Sequence, residues 1–176
     1  VVSDARDRLG YTRVVLCGWS GGGSLSMYYQ AVANRGDGIA DDSDALQFAF
    51  DYVTDLASRG SIYLPAGRYI VTKRVHQTTN GGRLTIFGDG KDVSIIAAGP
   101  GLENTVLLHL GNSNHHGAYT AQLFNFGIDG GTKEDGNTGL ILHEAGISHV
   151  FDLRITDCNV GLLGPAATGM LMDGKC

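Results

Sequence analysis

The stretch Arg35–Asp44, with the sequence RGDGIADDSD, predicts a turn that leads directly into an α-helix. Aspartate and serine are favourable helix N-cap residues, and Asp41, Asp42 and Ser43 stand in a row where such a cap is needed. Apolar residues then recur at helical spacing, namely Ala45, Leu46, Ala49, Phe50, Val53, Leu56 and Ala57. The pattern predicts an amphipathic helix that is closed by Gly60.

Short apolar segments separated by glycine and asparagine turns make up the rest of the chain. Ile62–Leu64 and Tyr69–Val71 lie on either side of a Pro-Ala-Gly turn, and both predict strands. The alternation of strand and turn then continues without a second helical pattern. The further predicted strands are Leu84–Phe87, Val93–Ala97, Val106–Leu110, Leu123–Ile128, Leu140–His143, Val150–Ile155 and Met170–Met172. This part of the chain therefore predicts an all-β fold.

Many short strands at nearly regular intervals are compatible with a sandwich, an antiparallel barrel or a parallel β-helix. Two observations favour the β-helix. The two-residue hairpin turns of antiparallel sheets are scarce, and Leu123–Asp129 and Val150–Thr156 look like equivalent stretches of successive coils. Apolar residues two apart would point inward in each stretch, whereas Asn125, Asp152 and Arg154 would point outward.

The opening motif and the strand after the helix resemble the N-terminal start of the pectate-lyase-like right-handed β-helices. The resemblance rests on the glycines, aspartates and serine of Arg35–Asp44, on the amphipathic helix, and on the segment Tyr63–Tyr69. It covers about residues 34–176. That superfamily includes glycoside hydrolases related to polygalacturonase, pectate lyases, alginate epimerases and phage tailspike depolymerases. The resemblance implies a right-handed single-stranded parallel β-helix with an N-terminal capping helix.

The resemblance also implies structural roles for the motif residues Gly36, Asp37, Gly38, Asp41 and Asp42. Asp37 would lie in the turn, and Asp41 or Asp42 would cap the helix. The helix would cover the first coil and shield a strand edge that otherwise invites aggregation. We therefore expect these aspartates to support the fold and not to carry out chemistry.

The first 33 residues carry a different pattern. Val14–Cys17 is a compact apolar run typical of a buried parallel strand, and GWSGGG follows at residues 18–23. Apolar residues then recur at helical spacing, at Leu25, Tyr28, Tyr29 and Val32. Strand, G-x-S-x-G and helix resemble the nucleophile elbow of α/β-hydrolases, within a helix–strand–helix segment. This resemblance implies Ser20 as a nucleophile, with the backbone N–H of Gly21 available to an oxyanion.

Ser20 has two interpretations. A serine esterase would need an Asp or Glu and then a His from later loops. However, the residues after Ala33 do not continue as alternating strands and helices, and residues 30–34 look like the end of the elbow helix where the β-helix family has a short strand. A hydrolase-derived piece joined to another domain near Ala33 is the favoured alternative, and it divides the chain into residues 1–33 and 34–176.

Composition excludes some classes of partner. The net charge is −5 and no basic cluster is present, which argues against nucleic acid. The sequence contains neither a segment long enough to span a bilayer nor a signal peptide, and its three cysteines lack the spacing of a metal site. The chain starts without Met and stops in mid-pattern. We therefore expect a fragment of a longer protein, and the resemblance to the β-helix superfamily implies that this protein is extracellular or associated with a virion.

The candidate catalytic residues for polysaccharide cleavage are Asp129, Asp152 and Asp157, with Arg154 nearby. Glycosidases use two carboxylates, whereas lyases use a base together with Arg, Lys or a divalent cation such as calcium. Asp152 and Arg154 are two residues apart, so both are predicted on one side of a strand. The alternative is a solvated surface with an exposed ion pair.

Other polar and aromatic residues are weaker candidates. Asn114–Gly117 contains two adjacent histidines but no third metal ligand at useful spacing, so a protruding loop is expected. Tyr119, Phe124 and Phe151 would be able to stack on sugar rings if exposed, although aromatic residues at strand spacing usually belong to a core.

The function expected from the sequence is a carbohydrate-active module that binds or cleaves an extracellular polysaccharide by lyase or glycosidase chemistry. This expectation rests on fold-level resemblance, which does not by itself establish an activity. A serine esterase that uses Ser20 is one alternative, and a non-catalytic structural fragment is another. Because tailspike relatives are trimers, the resemblance also leaves a homotrimer open.

Overall fold

A computed structural model describes residues 16–19, 25–28, 36–57, 59–77, 82–111, 119–143, 148–164 and 170–173. This part of the chain is mostly β-strand, with one α-helix and one short 3-10 helix. Neither helix within these ranges is long and apolar enough to cross a membrane. The composition of elements therefore confirms the predicted all-β class for the described residues after the opening helix.

The elements, in chain order, are β1 (Leu16–Trp19), β2 (Leu25–Tyr28), β3 (Asp37–Asp41), α1 (Ser43–Ala57), β4 (Arg59–Leu64), β5 (Gly67–Val71), β6 (Val75–His76), β7 (Gly82–Gly88), β8 (Ser94–Ala98), β9 (Val106–Leu110), β10 (Tyr119–Asp129), the 3-10 helix (Lys133–Asp135), β11 (Thr138–Leu142), β12 (Ser148–Thr156), β13 (Val160–Leu163) and β14 (Met170–Asp173).

These strands form two sheets that curl into a half-barrel. In the larger sheet the order is β1-β2-β4-β7-β10-β8-β5-β3, and β12 pairs with both β10 and β14. Strand β10 is long, so its first half pairs with β7 and its second half with β8. The smaller sheet has the order β13-β11-β9-β6. Apart from β1 with β2, the described pairs are parallel, as predicted.

The strand register stacks apolar side chains from successive passes of the chain. Ile62, Ile86, Leu123 and Val150 are direct neighbours across β4, β7, β10 and β12, and all four are buried. Burial of such rows is the main stabilising contribution to the fold. Because Leu123 pairs with Val150, the register also confirms the predicted equivalence of the two stretches that contain these residues.

Two residues in the left-handed backbone region interrupt the alternation of the long strands. Asn125 has a φ of 59° and Asp152 a φ of 47°, and they occupy equivalent positions in β10 and β12. Asparagine and aspartate tolerate this conformation better than most residues. Phe124 is half-buried while Phe126 is fully buried, although they are two residues apart. The strand therefore bends here, and its two halves contribute side chains to different parts of the outer surface.

The opening motif forms a network of side-chain to backbone hydrogen bonds. The buried Asp42 lies at the N-cap of α1, and its Oδ2 accepts the N–H groups of Gly36 and Ile70, each at 3.1 Å. Asp41 Oδ1 accepts the hydroxyl of Ser43 at 2.5 Å, and Asp37 Oδ1 accepts the N–H of Ile39 at 2.8 Å. The motif's aspartates thus satisfy backbone and hydroxyl donors that the turn leaves without strand partners.

Glycines within the motif allow its backbone path. Gly36 and Gly38 have φ values of 69° and 79°, which most other residues adopt only with strain. A Cβ at Gly36 would also lie 3.0 Å from the ring of Tyr69. The two glycines are therefore matched to the conformation that brings the aspartates to their donors.

Helix α1 packs on the core and closes one edge of the smaller sheet. Leu46, Phe50 and Val53 belong to the buried core, as the apolar stripe predicts. The side chain of Gln47 accepts the N–H of His76 at 2.9 Å and donates to its carbonyl at 2.7 Å. It therefore replaces the hydrogen bonds that a neighbouring strand would make with β6. Gly60 lies in β4 and does not close the helix as expected. A Cβ there would be 2.1 Å from Val53 Cγ1, so glycine permits the helix to approach the sheet.

The N-terminal segment departs from the prediction. Leu25–Tyr28, expected to begin the elbow helix, is strand β2, which is antiparallel to β1 and parallel to β4. The helix prediction is therefore wrong for these residues. The physical reason is that pairing on both sides supplies the backbone hydrogen bonds that a helix would otherwise provide, and this tertiary pairing outweighs helical spacing. Ser20 and Gly21 lie outside the described residues.

Candidate functional site

A group of charged side chains occupies the outer surface where β5, β8, β10 and β12 run side by side. Its members come from well-separated parts of the sequence, and all of them form ion pairs within the group. We call this group the charged outer face, and it consists of Arg68, Lys91, Asp92, Asp129, Asp152 and Arg154. It contains three of the four residues predicted from the sequence as candidate catalytic groups.

Two ion pairs connect β12 to the turn between β7 and β8. Lys91 Nζ lies 2.5 Å from Asp152 Oδ1, and Arg154 Nη1 lies 2.5 Å from Asp92 Oδ1. Asp152 and Arg154 are both exposed on β12, as their spacing predicts. However, each of them forms an ion pair with a residue of the turn, and they do not pair with each other. The four charges therefore alternate in sign between strand and turn, and their formal charges sum to zero.

The glycine in the intervening strand allows this turn to approach β12. Gly127 on β10 is the register neighbour of Ile95 on β8 and of Arg154 on β12. It therefore lies between the strand that follows the turn and the strand that the turn contacts. A Cβ on Gly127 would be 2.5 Å from the carbonyl oxygen of Lys91. A side chain here would push the turn away from the strand. Gly127 thus determines how close Lys91 comes to Asp152.

The turn itself is held from the other side by Asp89. Its Oδ1 accepts the hydroxyl of Tyr63 at 2.5 Å, and its Oδ2 accepts the N–H of Ala66 at 2.8 Å. The N–H of Asp89 in turn donates to the hydroxyl of Ser94 at 3.0 Å. The short turn between β7 and β8 is therefore anchored at its base, which positions Lys91 and Asp92 for their partners.

A third ion pair extends the charged outer face along β10. Arg68 Nη2 lies 2.6 Å from Asp129 Oδ2, while Asp129 Oδ1 accepts the N–H of Gly131 at 3.0 Å. The side chain of Asp129 is 20% exposed and that of Arg68 is 44% exposed, so the carboxylate is the less accessible partner. Asp129 is thus fixed by two contacts, one of which is charge-assisted.

Asp157 lies apart from these ion pairs. It occupies the corner after β12 with a φ of 53°, and no ion pair involves it among the described residues. The nearby thiol of Cys158 is half-buried. Burial, and then the negative charge of Asp129, raises the pKa of Cys158 to about 11. The thiol therefore stays protonated near neutral pH and is a poor nucleophile.

Ion pairing also determines the protonation of Lys91. The hydrogen bond to Asp152, and then the charge of that carboxylate, raises the pKa of Lys91 above its ordinary value. Lys91 is therefore fully cationic across the physiological range. It does not act as a proton acceptor, but it is able to donate to a ligand oxygen that displaces Asp152.

An aromatic row lies beside the charged outer face. Tyr63, Phe87, Phe124 and Phe151 stack on one another, with ring centroids separated by 5.2, 5.5 and 4.7 Å in that order. Phe87 and Phe124 each stack on a neighbouring ring on both sides, whereas Phe151, at the end of the row, is 39% exposed. A sugar that stacks on an aromatic ring needs an open face. The two inner rings are thus better suited to holding neighbouring strands in register than to stacking on a ligand.

The charged outer face is suited to binding polar ligands. Its carboxylates and cations are exposed hydrogen-bonding groups of both kinds, arranged on a surface that parallel strands hold in fixed register. Each of its three carboxylates already contacts a cation, so none is a free general base. Within the part of the chain that the structure describes, no group of three or more His, Cys, Asp or Glu side chains is arranged to hold a metal ion.

Sequence reasoning found half of the charged outer face and missed the other half. Arg68, Lys91 and Asp92 were not singled out, because their partners lie 61 or 62 residues away in the sequence. The glycine-rich turn that contains Lys91 and Asp92 was the available signal. A charged pair at the tip of a tight turn marks a place where the chain can reach across neighbouring strands.

Comparison with known proteins finds a match to one protein family. Residues 32–129 match the family model described as rhamnogalacturonase A/epimerase, pectate lyase-like. This match confirms the predicted resemblance to the pectate-lyase-like superfamily. No curated protein matches the chain.

A solved structure supports the same fold. ORF18 of Geobacillus virus E2 aligns with a TM-score of 0.56 and 21% sequence identity over 70% of this chain. The aligned part is 24% of that protein, so the present chain spans only a minor share of its length. At this identity the similarity concerns the fold alone.

Proposed function

Because the chain belongs to the pectate lyase-like family of rhamnogalacturonase A and epimerase, we propose that it is a carbohydrate-active module that binds or cleaves a polysaccharide. The family match is the observation that carries this proposal. Within it, residues 34–176 form the N-terminal part of a right-handed parallel β-helix, and the full protein acts outside the cell or on a virion. The parallel pairing of β4, β7, β10, β12 and β14 in sequence order supports the β-helix.

The proposed binding site is the charged outer face. Polysaccharides present hydroxyl groups and, in uronates, carboxylates, and these need both donors and acceptors on the protein. Lys91 and Arg154 would donate to ligand oxygens, while Asp152 and Asp92 would accept sugar hydroxyls. Since the four groups already compensate each other's charge, a ligand exchanges hydrogen bonds without leaving an unpaired charge buried.

Two kinds of cleavage are compatible with these residues. A glycosidase would need two of the carboxylates Asp129, Asp152 and Asp157 as the acid and base on either side of the bond, within roughly 10 Å of each other. A lyase would use one carboxylate as the base, with Arg154 or a divalent cation such as calcium neutralising the uronate. In both cases a working carboxylate at Asp129 or Asp152 must leave its cation when the substrate binds, because it is ion-paired in the free protein.

The start of the family match at residue 32 supports a boundary near residue 33. Strand β2 nevertheless pairs with β4, so the N-terminal hairpin extends the larger sheet. The alternative function, a serine esterase that uses Ser20, depends on a strand–turn–helix elbow, and the strand at Leu25–Tyr28 does not favour it.

The test is a panel of uronate, sulfated and neutral polysaccharides, with and without calcium. Binding is measured by affinity electrophoresis and calorimetry, and the folded state by circular dichroism in the same buffer. A lyase would give an unsaturated product that absorbs ultraviolet light, whereas a glycosidase would give new reducing ends without that absorbance. Retention by at least one polymer, with or without products, supports the proposal. A folded chain that neither binds nor cleaves any of these polysaccharides overturns the proposal and favours a non-catalytic structural role.

A further inference from the structure

Three histidines lie together on the smaller sheet. His76 on β6 and His109 on β9 are direct register neighbours, and the rings of His109 and His143 stack with centroids 6.0 Å apart and planes inclined by 29°. Their chain neighbours Val75 and Leu108 are buried in the core, so His76 and His109 point to the opposite face of the sheet. We call His76, His109 and His143 the histidine cluster.

Two ring nitrogens of this cluster are buried without a hydrogen-bond partner among the described residues. They are Nδ1 of His76 and Nε2 of His109. A buried imidazole in this state is better tolerated neutral than charged, because a cation loses more hydration energy on burial than a neutral ring does. Burial therefore favours the uncharged form of His109.

The groups around His109 oppose its protonation further. Burial, then the positive charge of Arg74, and then His143 and His76 lower the pKa of His109 below its ordinary value of 6.5. Arg74 precedes β6, and His143 follows β11, so positive charge would approach His109 from both neighbouring strands. Strand β8, which also contacts β9, has no titratable side chain.

On the helix side, Asp51 lies close to this edge, and Asp44 pairs with Lys73, which directly precedes Arg74. Gln47 Nε2 contacts Asp51 Oδ1 at 2.9 Å and the carbonyl of His76 at 2.7 Å, so Asp51 is linked to β6 through the amide of Gln47. It is not among the charged groups that act on His109. A protonated His109 would thus face the charge of Arg74 and two further imidazoles, and no carboxylate among the described residues is one of the groups that act on its pKa.

We propose that the histidine cluster is an acid-sensitive latch on the first strands of the smaller sheet. While His109 is neutral, β6 stays paired with β9. Because the pKa of His109 is lower in the folded protein than in the opened one, stability is complete above about pH 6.5 and decreases as the pH falls below that value. Repulsion then acts between β6 and β9, and β6 is the weaker partner because it has only two residues.

The backbone N–H of Gln77 reports this opening directly, because it donates a hydrogen bond to the backbone carbonyl of His109 at 2.9 Å. Its hydrogen-exchange protection, corrected for intrinsic rates, is measured at pH 7.5 and pH 5.5 and compared with that of Leu123 in the larger sheet. We expect the protection of Gln77 to decrease several-fold more than that of Leu123. In His109→Gln, the excess loss of protection at Gln77 over that at Leu123 should disappear. In the control variant His149→Gln, on β12, this excess loss should persist.

Equal losses at Gln77 and Leu123, or an undiminished excess in His109→Gln, would overturn the proposal. If His109→Gln does not fold, His143→Gln and Arg74→Gln replace it, because each removes one of the positive groups that act on His109. A reduced excess in either variant supports the latch, and an unchanged excess in both contradicts it. An NMR titration of His109 in the wild-type chain gives a second readout, with a midpoint expected below 6.5.

Discussion

The aspartates of the opening motif and those of the charged outer face differ in environment although they are the same residue type. Asp42 has no exposed surface and accepts two backbone N–H groups. The side chain of Asp152 is 47% exposed and contacts a lysine. The first carboxylate satisfies donors that water cannot reach, whereas the second is available to exchange its partner. Burial and partner type, and not residue identity, thus separate aspartates that build the fold from those that are able to bind ligands.

Asp41 stands between these two cases. Partial burial raises its pKa, but hydrogen bonds from Ser43 and Thr72 together outweigh that effect, so the pKa is lower than the ordinary 3.8. A carboxyl with a lowered pKa in the folded state stabilises the protein above its ordinary pKa, and this stabilisation is lost as the pH falls below 3.8. The opening motif is therefore a site where strong acid should weaken the fold.

The largest expected effect comes from Asp42→Ala. The substitution leaves the N–H groups of Gly36 and Ile70 without their buried acceptor, and each unsatisfied buried donor costs about 1–3 kcal/mol. We expect the free energy of unfolding in urea to decrease by about 3 kcal/mol. Asp44→Ala, in the exposed first turn of the same helix, is the matched control and should have a much smaller effect. Equal losses in the two variants would contradict the structural role assigned to Asp42.

An intermediate effect is expected for Gly127→Ala. The new Cβ would meet the carbonyl of Lys91, so the turn must move away from β12 or the strand must distort, at a cost of about 1–3 kcal/mol. Gly161→Ala is the control, because a Cβ there would lie 3.8 Å from Ile155, at an ordinary contact distance. Unfolding in urea gives the cost, and NMR contacts between Lys91 and Asp152 report the position of the turn. A stable Gly127→Ala variant with that contact intact would argue against the spacing described for the charged outer face.

How far the sequence determined these features depends on the distance between interacting residues. Local patterns were sufficient for the helix and for strands such as Val106–Leu110, whose predicted and observed bounds agree. They failed at Leu25–Tyr28, where pairing with β1 and β4 outweighs helical spacing. They also missed Lys91 and Asp92, because no local pattern encodes a contact across more than 60 residues of chain.

Asn137 shows the same limit inside the fold. The sequence marks it only as part of a Gly-Asn turn, but its buried amide donates to the carbonyls of Leu102 and Gly130 and accepts the N–H of Thr105. These contacts fasten one corner of the chain to the corner before it. A turn residue with a satisfied buried amide is recognisable only when the neighbouring coil is in place.

The most direct test of the difference between the two sets of aspartates compares binding and stability in one pair of double variants. Asp152→Asn with Arg154→Gln alters the charged outer face, and Asp44→Asn with Lys73→Gln alters an exposed ion pair near the opening motif. For the polymer that the wild-type chain retains best, the first variant should bind about tenfold more weakly, equivalent to about 1.4 kcal/mol, because charge-assisted hydrogen bonds are lost. Its unfolding in urea should change little, and the second variant should match the wild type in both. Unchanged affinity in the first variant, or an equal loss in the second, would contradict the assignment of the charged outer face as the binding surface.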